Sequence, residues 1–196
     1  MIDETYVMLN KIPDSFVDNI IQIGYDIGFK PSKVFEFDAD QKGRIDYNIR
    51  SSHQAWVPQH QYKDLYSTVT DYFTFVNRIN FNFDISHGVN EIQIVKYNSE
   101  TKDHFNWHQD VIYEYPTTSR KISMTMQLSD PNTYEGGDLL IGNNIESFDE
   151  LTPNLKAAKQ KSSIIMFNSY LRHKVTPVTK GVRYSLIAWA SGPPFR

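Results

Sequence analysis

From residue 90 onward the chain breaks into short β-type runs, EIQIVKY, KISMTMQLS, GDLLIG, SSIIMFN, RHKVTPV and VRYSLIAWAS, punctuated by turn clusters such as SDPNTYEGG and TKG. With the segment 103–109 and another near 145–150 counted, about eight short strands follow two helices, a pattern that favours an antiparallel sandwich or jelly roll over a parallel α/β sheet. The helices come first. Phe16, Val17, Ile20 and Ile21 recur at helical spacing behind Pro13 and Asp14, with Gly24 or Gly28 as the stop. Between Tyr62 and Asn80, the residues Leu65, Val69, Tyr72, Phe73, Val76 and Ile79 mark a second, longer helix, expected to buttress a sheet. Between the two, Ile45, Tyr47 and Ile49 alternate and predict a strand, and the polar run SSHQAWVP behind it predicts a loop able to act as a lid.

A chain of 196 residues suits one domain with a sizeable core. The expected division is helical support and substrate-side strands over 1–90, and a jelly-roll core over 91–191. The net charge of -3 leaves no basic field, so a nucleic-acid partner is disfavoured. There is no cysteine, hence no disulfide scaffold and no thiolate metal site, which suits a reducing compartment. MIDETYVMLN lacks the apolar core of a signal peptide, and no run is long enough to span a membrane. The expectation is a soluble, cytoplasmic protein.

Chemistry concentrates in DHFNWHQDVIYEY, residues 103–115. Read as a strand, it projects His108 and Asp110 from one face, where both can grip one ion, while Gln109 points the other way. Read as a helix, the pair would be His104 and His108, as in zinc peptidases, but the glutamate that would serve as general base is replaced by Phe105. A third ligand candidate, His173, opens a strand in NSYLRHKVTPVTKGVRYS. Two histidines and one carboxylate on one side of a metal, with other positions open, is a donor set for non-haem Fe(II) and O2.

Arg183 supplies a mooring for a co-substrate. If residues 179–181 form a three-residue hairpin turn with Gly181 at positive φ, then His173, Arg183, Ser185 and Trp189 share a face. Position 173 then lies four residues from Arg183 along the paired strands, roughly 13 Å at about 3.3 Å per residue. A five-carbon dicarboxylate with one end on the metal and the other in the guanidinium fork roughly fills that gap, with the Ser185 hydroxyl as a second donor. A keto acid of this shape is 2-oxoglutarate.

These motifs resemble the Fe(II)/2-oxoglutarate oxygenases, and within them the prolyl 4-hydroxylase type, including phage-encoded and bacterial members. The matching text is Phe105-x-x-His108-x-Asp110, YEGGDL at 134–139, and FNSYLRHKVTPVTKGVRYSLIAW at 167–189. The resemblance covers residues 91–191. It implies a double-stranded β-helix behind paired helices, with His108, Asp110 and His173 as iron ligands and Arg183 with Ser185 on the distal carboxylate of 2-oxoglutarate. It also implies Tyr97 as a co-substrate contact, although Tyr97 stands eleven residues before His108, farther than in the commoner pattern. Trp189 matches a tryptophan near the substrate, where nucleobase demethylases carry a second arginine. Asp110 marks a hydroxylase, since related halogenases replace that carboxylate by a small residue.

The cofactors so implied are Fe(II), 2-oxoglutarate and O2, with ascorbate alongside. The outcome implied is hydroxylation of a C–H bond in a prolyl residue of a peptide or protein. Other outcomes stay open: a free amino acid or another side chain, a nucleobase demethylase, or a barrel that binds metal or a small acid without turnover. The likeness to phage proteins extends the expected location to a host cytoplasm. Arg50, with the loop behind it, and Tyr113 and Tyr115 are placed at the substrate rim. His53, His60 and His87 read as surface histidines, His104 as too far along its strand to share the metal, and Gly136 and Gly137 as a tight turn.

Overall fold

The computed structural model describes residues 5–8, 12–34, 43–111, 117–142 and 155–195. Tyr113, Tyr115 and the strand expected near 145–150 lie outside them. The first helix, α1 (Asp14–Ile27), starts after Pro13 and stops at Gly28, whose φ of 89° ends the helical path; Gly24 stays inside it. The second, α2 (Lys63–Val76), runs on into a π-helical turn, Asn77–Phe81. Among the described residues no helix is long and apolar enough to cross a membrane.

Two antiparallel sheets stack behind the helices. The strands in chain order are β1 (Thr5–Met8), β2 (Lys30–Pro31), β3 (Arg50–Ser51), β4 (His53–Trp56), β5 (Gly88–Asn98), β6 (His104–His108), β7 (Ser119–Gln127), β8 (Tyr134–Gly136), β9 (Leu139–Gly142), β10 (Leu155–Lys156), β11 (Ile164–Asn168), β12 (Arg172–Val175) and β13 (Val178–Gly192). The larger sheet runs β1-β11-β7-β13-β5-β4-β2, with β8 also pairing β13, and the smaller runs β10-β9-β12-β6-β3. This is the jelly roll buttressed by two helices that the strand pattern predicts.

Alternation along the central strands divides the core in two. Leu186, Ala188 and Ala190 of β13, Ile92 and Ile94 of β5, and Met124 and Met126 of β7 face the helices, packing on Val17, Ile20, Val69 and Phe73. The other face of the large sheet meets the small one, where Val95, Ile165, Phe167 and Val178 pack on Leu139, Ile141 and Val175. The same inward face carries polar residues, Ser123, Thr125 and Gln127 on β7 and Arg183 and Ser185 on β13, all buried. Polar side chains on the inner face of a sandwich mark a polar interior rather than a plain apolar core.

Two sequence expectations fail here. The segment with Ile45 and Tyr47 is not a strand: residues 47–49 turn, Ile45 and Tyr47 are exposed, and the strands are β3 and β4, inside the stretch expected to be a loop. Their backbones pair with β6 and β5, a tertiary reward that outweighs the polarity of SSHQ. Nor do residues 179–181 turn a hairpin. β12 pairs with β6 and β9, whereas β13 runs straight through Gly181 and pairs with β8, β5 and β7. Gly181 does have a positive φ, 69°, but at an irregular stretch of β13, where a Cβ would meet the Thr133 carbonyl oxygen at 2.1 Å.

Candidate metal and co-substrate site

His108 closes β6 and His173 lies on β12, and the two are direct cross-strand partners. Asp110 follows β6, its N–H donating to the Ser169 carbonyl at 3.0 Å. This brings His108 Nε2 to 3.7 Å from Asp110 Oδ1, and His173 Nε2 to 3.4 Å from Asp110 Oδ2. The three donor atoms all lie within 4.8 Å of one another. Each imidazole uses its other nitrogen on a carbonyl, His108 Nδ1 to Asn106 at 2.8 Å and His173 Nδ1 to Leu171 at 3.0 Å, which fixes the tautomer with the Nε2 lone pair free. Phe105 stacks on His108 with centroids 3.5 Å apart, and Phe167 meets His173 edge-on. Ser123 donates its hydroxyl to Asp110 Oδ2 at 2.7 Å and shares a second bond with Ser169 Oγ at 3.0 Å.

The protonation states suit a cation. Burial, aided by His173, drives the His108 pKa down to about 3, so the ring is neutral at pH 7. Burial alone would raise Asp110, but His173 and His108, with Arg120 and the Ser123 hydroxyl, outweigh it and hold the carboxyl at about 2. Two imidazoles and one ionised carboxylate on one side, without thiolate, fit Fe(II). His104 stays apart, bonded through Nδ1 to the Lys102 carbonyl at 3.1 Å.

Arg183 faces this cluster from the opposite sheet and is only 1% exposed. Its Nη2 donates to Gln127 Oε1 at 3.0 Å and Nη1 to Ser185 Oγ at 3.5 Å, while Nε has no partner. Gln127 gives its own N–H to the Ala158 carbonyl at 3.1 Å, which turns its oxygen toward the guanidinium. Among the described residues no carboxylate lies within ion-pair distance of Arg183. Tyr97, paired with Arg183 across β5 and β13, is fully buried with an unpartnered hydroxyl. Buried, incompletely bonded donors around an uncompensated cation are what a carboxylate ligand would complete.

Gly137 makes room for that arginine. At φ 59°, a Cβ there would stand 2.8 Å from Arg183 Cδ and 3.0 Å from Val178 Cγ2. Gly137→Ala is therefore expected to displace the guanidinium, raising the dissociation constant for 2-oxoglutarate about tenfold while metal affinity holds. The backbone strain adds a loss of stability on the order of 1 kcal/mol. Co-substrate titration of the Mn(II)-loaded protein and a thermal melt read the two effects.

Metal cluster and anchor line one cavity of about 480 Å³, with Tyr97, Ser185, Trp189 and Arg50 also in its wall. At the Trp189 side, Arg120 lies 3.8 Å over the indole ring and pairs with Glu91, and Trp56 leans on the same indole with centroids 6.3 Å apart. The indole N–H of Trp189 is buried without a partner. Arg50, expected at the substrate rim, is a buried strand residue in the cavity wall. Gln127, Ser123, Glu91 and Arg120 were not singled out from the sequence; the alternation of Ser123, Thr125 and Gln127 with Met124 and Met126 was the available signal of a polar inner face.

The family model of the 2OG-Fe(II) oxygenase superfamily matches residues 92–191. The chain belongs to that superfamily. Its fold is shared, at low identity, with solved oxygenases. A Pseudomonas putida prolyl-4-hydroxylase superposes with a TM-score of 0.68 at 15% identity, over 95% of this chain and 92% of that one. A Trichoplax adhaerens prolyl hydroxylase, solved with a hypoxia inducible factor oxygen degradation domain peptide fragment, gives 0.69 at 17%, over 95% and 82%. The viral collagen prolyl hydroxylase of Paramecium Bursaria Chlorella virus-1, in its 2OG complex, gives 0.63 at 15%, over 97% of each chain.

By sequence, a PKHD-type hydroxylase of Pseudomonas putida is 33% identical over 90 residues, 43% of this chain and 37% of that protein. The match to the PKHD-type hydroxylase YbiX of Escherichia coli is 35% over 68 residues, 35% of this chain and 27% of YbiX. The matched stretch thus spans well under half of these relatives' length. The family uses Fe(II), 2-oxoglutarate and O2, and in this chain the donor set fits the metal and the guanidinium fork fits a carboxylate.

Proposed function

We propose that this protein is an Fe(II)- and 2-oxoglutarate-dependent dioxygenase that hydroxylates a prolyl residue carried by a peptide or protein. The observation that carries the proposal is one cavity that holds three metal donors, on or just beyond the strands of the small sheet, and on the large sheet an arginine with no ion-pair partner among the described residues. His108, Asp110 and His173 hold the iron, and Arg183 with Ser185 and the Tyr97 hydroxyl hold the co-substrate. Iron with 2-oxoglutarate supplies the means to reduce O2 and insert one oxygen into a C–H bond while the keto acid loses carbon dioxide and becomes succinate. The chain's own work is positioning and dryness. Ser123 and Ser169 orient the Asp110 carboxylate, and Phe105 and Phe167 lock the two imidazoles. The apolar wall of Leu139, Val175 and Ile187 excludes water from the space between.

The mouth supports a prolyl substrate. The exposed Trp56 in the cavity wall offers an aromatic face to a pyrrolidine ring, with Trp189 packed against it. The structural neighbours named above as prolyl hydroxylases share this fold, and one of them is solved with a peptide. Succinate formation, measured with Fe(II) and 2-oxoglutarate across proline-containing peptides, is the test. Peptides are expected to stimulate it several-fold and to gain one oxygen by mass spectrometry, whereas methylated oligonucleotides do neither. Demethylated bases beside unmodified peptides would move the protein to nucleobase chemistry.

A further inference from the structure

Arg50 is a cation of the cavity that the mechanism above leaves unused. It comes from β3, is 7% exposed, and lines the chamber. Among the described residues its bonds go to neutral groups, Nε to Ser52 Oγ at 3.0 Å and Nη2 to Gln93 Oε1 at a long 3.5 Å. Its guanidinium lies 4.6 Å over the Phe105 ring, and Phe105 stacks on His108. Among the described residues no carboxylate reaches ion-pair distance: Asp110 acts on it only from farther away, and the buried Asp103 is taken by Ser51, Thr101 and the Asn98 N–H.

Burying a guanidinium is costly, and arginine cannot shed its proton to escape the cost. Among the described residues the other buried charges of the chamber cancel. Arg120 is paired with Glu91. On the reading proposed above, iron and Arg183 together are balanced by Asp110 and the two carboxylates of 2-oxoglutarate. The charge left over is that of Arg50. Lys33 at the edge is exposed and has an interaction of its own, so it does not enter this balance.

We infer that the substrate carries a carboxylate, on the hydroxylated residue or its immediate neighbour, and that Arg50 binds it. The inference rests on the proposed hydroxylase reading for the identity of the target residue. The placement follows from the stack of Arg50 on Phe105 on His108. The fork sits one aromatic ring from a metal donor, so its anion must lie within a few bonds of the carbon that is oxidised. Two sources share this chemistry, the α-carboxylate of a C-terminal proline and the side chain of an acidic residue beside an internal one.

The test is a set of matched peptides: one ending in proline with a free carboxylate, its C-terminal amide, one with an internal proline beside aspartate, and its asparagine counterpart. Binding is measured by calorimetry on the protein loaded with Mn(II) and 2-oxoglutarate, which needs no turnover, and oxygen gain is scored separately with Fe(II). At least one carboxylate peptide is expected to bind about tenfold or more tightly than its neutral partner. The pair that shows the gap names the source. Arg50→Gln should erase the gap and Arg50→Lys retain part of it, with 2-oxoglutarate affinity within about twofold of the parent. Equal binding of charged and neutral members, including no binding by either, overturns the inference. So does a rise in the 2-oxoglutarate dissociation constant in Arg50→Gln, which would assign Arg50 to the co-substrate. Charge discrimination without any oxygen gain leaves the Arg50 site standing and removes the prolyl hydroxylase reading instead.

Discussion

Asp110→Ala is expected to weaken Fe(II) binding by at least about a hundredfold, since even the outer partners of a metal ligand command effects approaching that size. Turnover should fall below detection while the fold persists. The carboxylate sits just beyond the end of β6, and its removal leaves the backbone bond from residue 110 to Ser169 in place. His108→Ala should act alike on the metal but cost more stability, because Phe105 loses its stacking partner. Titration with Fe(II) or Co(II), followed by absorbance, gives the affinities, and circular dichroism checks the fold. A loss of metal in His104→Ala with none in His108→Ala would transfer the site to the other histidine.

At the opposite wall, Arg183→Lys keeps a cation but loses the fork. The dissociation constant for 2-oxoglutarate is expected to rise between about tenfold and a hundredfold, the range of a charge-assisted hydrogen bond lost. Arg183→Ala should go further and also destabilise the protein, since a fully buried side chain is removed and Gln127 Oε1 is left without its donor. Metal affinity should hold in both. Co-substrate titrations of the Mn(II) form decide the matter; unchanged affinity in both variants would remove the anchor.

The chemistry of the site was legible because it rests on side-chain types at short spacing. Arg183 and Ser185 are two apart on β13, so strand alternation sends both to one side, and Asp110, two beyond the last residue of β6, keeps to the side of His108. The jelly-roll class was legible for the same reason, from runs whose length and turn residues are local facts. What was not legible depends on partners far along the chain. A glycine at positive φ serves a hairpin turn or an irregular strand equally well, and only the pairing of β13 with β8 decides for the latter at Gly181. The alternation of Ile45, Tyr47 and Ile49 looked like a strand because nothing nearby showed that Arg50 and Ser51 would be claimed by β6. The burial of Arg50 was not legible, since it is produced by Phe105 and Gln93, which lie far along the chain.

Placing His173 and Arg183 on facing sheets rather than on adjoining strands turns the sandwich into a caliper. On the proposed reading, the length of diacid that reaches from metal to fork is set by the thickness of the packing between the sheets, about 10 Å in such folds, and not by any count of residues along one strand. The spacers are Val95, Ile165, Phe167 and Val178 against Leu139, Ile141 and Val175, and of these only Leu139 and Val175 reach the cavity wall. Discrimination between a five-carbon diacid and its shorter or longer homologues would then be a property of ordinary apolar core side chains, and would drift with substitutions that a catalytic inventory overlooks.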